Sequence, residues 1–172
     1  MNPVRIYDYL TQARQKLFGW IRPLSQEQYT QEFPFGLKTL RATLVEMARA
    51  EWLYMRRLSG EQIPPRAEWP ISEEKQPTFG VVEAAWIAQE PRTRALLGGI
   101  TDWQQQREWP SIMSPPGKRV VMSAPLADLA TQMVLHEVHH RAQAMAMLRQ
   151  LGVAAQNLDY GIFTFARREE PA

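Results

Sequence analysis

Four stretches of this chain repeat apolar side chains at steps of three and four residues, and each stops at a proline or a glycine. That step keeps the apolar groups on one face of an α-helix, whereas a strand would scatter them over both of its faces. In the first stretch Ile6, Tyr9, Leu10, Ala13, Leu17, Trp20 and Ile21 share one stripe, which predicts a helix over 4–22 ending before Pro23. Leu40, Leu44, Met47, Met55 and Leu58 define a second over 37–58, stopped by Ser59-Gly60. Thr78 caps a third that runs to about Leu97, with Pro91 set to kink or break it before Gly98-Gly99. Ser123 with Pro125 opens a fourth over 125–151, closed by Gly152.

The connections are uneven. Residues 23–36 read as a turn-rich connector. Residues 61–77, with Pro64, Pro65, Pro70 and Pro77, form a long loop that is either functional or a crossover between non-adjacent helices. Over 102–124 the pattern changes: 107–109 and 119–122 flank Ser114-Pro115-Pro116-Gly117, as in a small hairpin or flap. A last short helix is expected over 158–166. The expected architecture is all-α: one four-helix bundle domain over 1–172 with long crossover loops, a short extra C-terminal helix and a small β-hairpin.

Composition removes several function classes. The chain has no cysteine, so it can hold no disulfide, thiolate ligand or cysteine nucleophile of its own. Lys and Arg total 20 against 18 Asp and Glu, and the two signs alternate along the chain. Nucleic-acid binding needs a basic stripe that displaces counterions from many phosphates, and none is present. No apolar stretch reaches the ~18 residues of a membrane span. The opening residues are charged throughout and lack the apolar run of a signal peptide. The expectation is a cytoplasmic protein with neither nucleic-acid nor membrane partners.

All three histidines fall within five residues, in Leu135-His136-Glu137-Val138-His139-His140. On a helix His136 and His140 stand one turn apart on one face, so both rings can address one ion. Neutral imidazole is a preferred ligand for zinc and related divalent metals. A lone helical histidine is more often an ordinary core or surface residue, but the clustering here departs from that pattern. Two imidazoles hold an ion weakly, so a third ligand is expected from another helix. The second helix offers Glu46, whose bland reading is a solvated surface glutamate. It also offers Glu51, five residues on, which the stripe of Met47 and Met55 favours as the inward carboxylate. The histidine run also spells H-E-x-x-H, a metalloprotease signature with Glu137 as general base. That reading needs a third ligand downstream, where Glu169 and Glu170 are the only glutamates, and no substrate-binding sheet precedes the motif.

Three stretches resemble those of the DinB-like (YfiT-like) superfamily of small metal-binding four-helix proteins. Residues 135–143 resemble its His-x-x-x-His-Arg-Gly-Gln run, with Ala142 where glycine is usual. Leu44-Val45-Glu46-Met47-Ala48-Arg49-Ala50-Glu51-Trp52 resembles the stretch that holds the first metal ligand, usually histidine, followed five residues on by an acidic residue. Residues 148–163, with Leu151-Gly152 and Asn157-Leu158-Asp159, resemble its C-terminal ending. The resemblance implies a divalent ion (Ni, Zn, Mn or Fe) held by Glu46, His136 and His140, with a carboxylate where an imidazole is usual. Two histidines and one carboxylate make a competent facial triad with open positions, and the extra negative charge favours a harder ion. Around that site Tyr54, His139 and Gln143 are expected at the pocket, Glu137 should point away from the metal, and Arg141 should form a structural salt bridge.

Characterised members of that superfamily include thiol-dependent S-transferases. The resemblance therefore implies a metal-dependent enzyme acting on a small molecule, with a low-molecular-weight thiol from solution or an activated water as nucleophile. A non-catalytic metal- or ligand-binding role in stress response is the alternative. A homodimer is the expected assembly.

Overall fold

The computed structural model describes residues 2–111, 114–166 and 168. Glu169 and Glu170, the downstream ligands a protease would have needed, lie outside the described residues. The first long helix, α1, spans Pro3–Ile21. It begins where the Asn2 side chain accepts a hydrogen bond from the Arg5 amide at 3.1 Å and where Pro3 has no amide hydrogen to leave unsatisfied. A short helix absent from the sequence reading, α2 (Gln26–Thr30), follows. Ser25 caps it reciprocally with Gln28: the Gln28 amide donates to Ser25 Oγ (3.1 Å) and the Ser25 amide to Gln28 Oε1 (2.9 Å).

Helix α3 (Leu40–Ser59) is capped by Thr39, whose hydroxyl accepts from the Ala42 amide at 2.9 Å. It ends at Gly60, whose φ of 78° is left-handed. A single 3₁₀ turn, Arg66–Glu68, punctuates the proline-rich loop. Of the kink or break expected at Pro91 there is no break: helix α4 (Phe79–Gly99) runs on through it. Both Pro91 and Ile87, whose carbonyl loses its donor, are exposed, so that carbonyl lies on the watered side of the helix. Strands β1 (Gln106–Pro110) and β2 (Val121–Pro125) pair antiparallel, Glu108 opposite Ser123. The hairpin is therefore where the sequence put it, with the second strand two residues later. Helix α5 (Leu126–Gln150) follows directly, and α6 (Tyr160–Thr164) ends the fold.

The four long helices form a square. Helix α3 packs on α4 and α5, and α1 packs on the same two. The proline-rich loop thus joins neighbours, while the connections from α1 to α3 and from α4 to α5 cross the diagonals. Leu10, Leu17, Phe18, Leu44, Trp86 and Leu148 meet in the centre with no exposed surface. Each such side chain contributes roughly 1.5–3 kcal/mol through burial. Tyr9 pins α6 to α1: its hydroxyl donates to the Leu158 carbonyl at 2.8 Å, and its ring meets Tyr160 edge-on at 5.1 Å. The hairpin is tied to the end of α3 by Arg107, which donates to the Leu58 carbonyl at 3.2 Å. A side chain at residue 60 would strike that guanidinium, so Gly60 serves both the turn and the clasp. Among the described residues no helix is long and apolar enough to cross a membrane.

Candidate metal centre

Helices α3 and α5 pack along their lengths and bring together residues ninety positions apart in the chain. Glu46 projects from the first half of α3. His136 and His140 stack one turn apart on α5, with ring centroids 4.5 Å apart and planes at 67°. One ligand atom from each of the three lies within 4.8 Å of the other two. His136 Nε2 is 3.7 Å from Glu46 Oε1. All three are half-buried, neither sealed in the core nor spread on the surface.

The surroundings orient these groups. Arg49 donates to Glu46 Oε2 and leaves Oε1 facing His136. The Gln143 carboxamide bridges two rings, its oxygen 2.8 Å from His140 Nδ1 and its nitrogen 2.9 Å from His139 Nε2. In that orientation His140 carries its proton on Nδ1, so Nε2 keeps the lone pair a metal needs. The loop before α3 lies on this carboxamide at Gly36, where φ is +57° and a Cβ would sit 3.0 Å from Gln143 Oε1. Burial, then the neighbouring His140, hold His136 below the ordinary histidine pKa, with Glu46 opposing. His136 is therefore neutral, as a ligand must be.

Two of the three, Glu46 and His136, open on a cleft of about 560 Å³ between α3, α5 and the hairpin, and His140 stands behind them outside its lining. Glu46 and His136 stand at one end, and Tyr54, Arg57, Trp109 and Asp128 line the rest. Tyr54 lines this cleft, its ring 6.4 Å from His136. His139 is exposed, and neither it nor Gln143 is among the lining residues; they support His140 from behind. Asp128 and Gln132 escaped the sequence reading, although with His136 they recur at four-residue steps along α5 and so share its face.

Glu51 is inward, as periodicity indicated, but it faces a different centre. Its Oε1 accepts from Tyr7 (2.7 Å) and Thr93 (2.7 Å), and its Oε2 from Arg14 (2.7 Å) and Trp86 Nε1 (2.8 Å). Four donors occupy the carboxylate, which leaves nothing for an ion. Glu137 joins the same cluster, donated to by Arg14 at 2.6 Å, and burial raises its pKa. Burial also works against the Arg14 charge, yet Glu137 and Glu51 outweigh it and hold that guanidinium firmly protonated. The H-E-x-x-H reading fails on this geometry, because its general base is committed to Arg14 inside the core. Arg141 points the same way, 3.9 Å from Glu137 and donating to the Tyr9 hydroxyl, which makes it structural. Arg14 itself was missed, although a charged residue between Leu10 and Leu17 on an apolar stripe was a visible signal.

A sequence model of the DinB family matches residues 1–171. The chain belongs to the DinB family. It is 24% identical over 178 aligned positions to Protein DinB of Bacillus subtilis (strain 168), an alignment covering 98% of this chain and 96% of the relative. The donor set, two imidazoles and one carboxylate on neighbouring helices, suits a divalent ion with positions left over for other ligands.

Proposed function

We propose that this DinB-family chain is a divalent-metal-dependent enzyme that activates a small nucleophile from solution, thiol or water, against a small molecule bound in the cleft. The observation that carries this reading is the convergence of Glu46, His136 and His140, the first two of which line one end of an open cleft. A purely structural metal site closes its ion in with four protein ligands, whereas three ligands beside a cleft are the arrangement of catalytic sites. When bound, the ion lowers the pKa of a coordinating thiol or water so that the anion forms near neutral pH.

The residues divide the remaining work. Glu46 and the two imidazoles hold the ion against the α3–α5 seam. Arg49 fixes the carboxylate, and Gln143 fixes the His140 ring, so neither ligand must reorganise on binding. Tyr54, its ring 6.4 Å from His136, walls the metal end of the cleft and reduces water there. With no cysteine in the chain, a thiol nucleophile must arrive from outside.

The reading is tested by loading the protein with zinc, nickel, manganese or iron and assaying two panels. One pairs small thiols with electrophilic alkyl and aryl halides; the other contains small activated esters and amides. Turnover that vanishes in His136→Ala and on chelation supports the reading, and the productive panel identifies the nucleophile. Turnover that is indifferent to both treatments, or absent from every loaded form, removes it.

A further inference from the structure

At the far end of the cleft stands a cation that meets the Tyr54 side chain but, among the described residues, no carboxylate. Arg57 lies eleven residues after Glu46 on α3, about 16 Å along the helix at ~1.5 Å per residue. Glu46, Ala50, Leu53 and Arg57 form one stripe of that helix, and all four line the cleft. The guanidinium sits between two rings, 5.0 Å from the Tyr54 centroid and 5.3 Å from that of Trp109. Aromatic faces satisfy the flat sides of a guanidinium and fix its plane, but they offer no carboxylate to the in-plane N–H groups. The neighbouring arginines of α3 differ: Arg49 is paired with Glu46, and Arg56 is 3.5 Å from Glu61. Among the described residues no carboxylate lies within ion-pairing reach of Arg57, and its Nε is buried without a hydrogen-bond partner. A half-desolvated cation without a counter-charge is costly, and an arriving anion relieves that cost.

We propose that Arg57 is the receptor for a substrate carboxylate. Resting on the metal reading for its other end, this defines the substrate class as a small molecule with one carboxylate, an apolar middle and a metal-seeking group opposite. The charge count selects a carboxylate over a phosphate ester. Asp128 lines the same cleft and, among the described residues, Arg57 is the one arginine or lysine that does, so its single charge matches a monoanion better than a dianion. The two oxygens of a carboxylate match the guanidinium fork. Ala50, Leu53 and Leu129 supply the apolar stretch between the two ends.

Titration calorimetry of the zinc-loaded full chain with 6-mercaptohexanoate and with its methyl ester tests this directly. The parent should bind the acid about tenfold or more tighter than the ester, the worth of a charged hydrogen-bond pair. Arg57→Met should bind both alike, with zinc content and ester affinity retained. Should that variant fail to fold by circular dichroism, Arg57→Gln, which keeps the polar stem, carries the same comparison. An acid preference that persists without Arg57, or a parent that shows none, overturns the proposal. Failure to bind zinc would instead sink the metal reading; hexanoate against methyl hexanoate on the metal-free protein then decides Arg57 by the same criterion.

Discussion

Helices α3 and α5 each contribute carboxylate or imidazole groups to two polar centres, and the two centres have opposite characters. On one side Glu51 and Glu137 meet Arg14 in the core, with exposures of 3%, 5% and 0%. On the other Glu46 and His136 meet at the edge of a cleft, with side-chain exposures of 24% and 21%. Five residues of α3 separate Glu46 from Glu51, a rotation of roughly 140° at 100° per residue. A single residue of α5 separates His136 from Glu137. The core cluster fills the Glu51 carboxylate with donors from α1 and α4 and ties Glu137 of α5 to Arg14 of α1, so it locks four helices in register. The edge triad spends fewer of its lone pairs on protein partners and faces open space. One centre holds the bundle together and the other is free to bind.

That contrast can be broken most forcefully at Arg14. Replacing it with Met strands Glu51, Glu137 and the nearby Glu90, and should cost roughly 3–5 kcal/mol in urea denaturation or abolish folding. A loss below about 1 kcal/mol would show that the core cluster is not a structural lock. Glu137→Gln should cost about 1–3 kcal/mol while metal content stays at the parental level. Metal loss in that variant would merge two centres that are separate here. At the edge the pattern inverts: His136→Ala should lose the ion yet leave metal-free stability within about 1 kcal/mol, the range of substitutions away from a packed core. Glu46→His, which replaces the carboxylate with a third imidazole, should retain the ion and shift preference toward softer ones, read by competition between manganese and zinc.

The smallest effect is on pH. His136 is held below the ordinary histidine value of about 6.5, so metal affinity should be level above that value and fall as pH drops through the depressed one. Metal-free stability has the same sign, because the unfolded chain takes up the proton first; this contribution is present above about 6.5 and lost below. Equilibrium dialysis across that range checks it, and affinity that rises on acidification would contradict it.

The apolar stripes made the long helices readable to within about three residues at each end, since a 3.6-residue period and a cap are local properties. The pairing of His136 with His140 was readable for the same reason. Helix α2 was missed despite a Ser25–Gln28 capping box, because five residues are too few to show a stripe. Choosing between Glu46 and Glu51 was beyond periodicity: the stripe reports which residue is inward, and the inward one was claimed by Arg14, Trp86, Tyr7 and Thr93 from two other helices. That competition exists only once the helices are packed. The second hairpin strand lay two residues late because its register is set by Gln106 opposite Pro125, a tertiary pairing.

Metal content of the purified protein by plasma mass spectrometry, beside His136→Ala and Glu46→Ala, goes to the heart of the matter. One divalent ion per chain in the parent and marked loss in both variants is the result the convergence of these side chains requires. Equal metal in all three proteins would mean that the α3–α5 seam holds no ion.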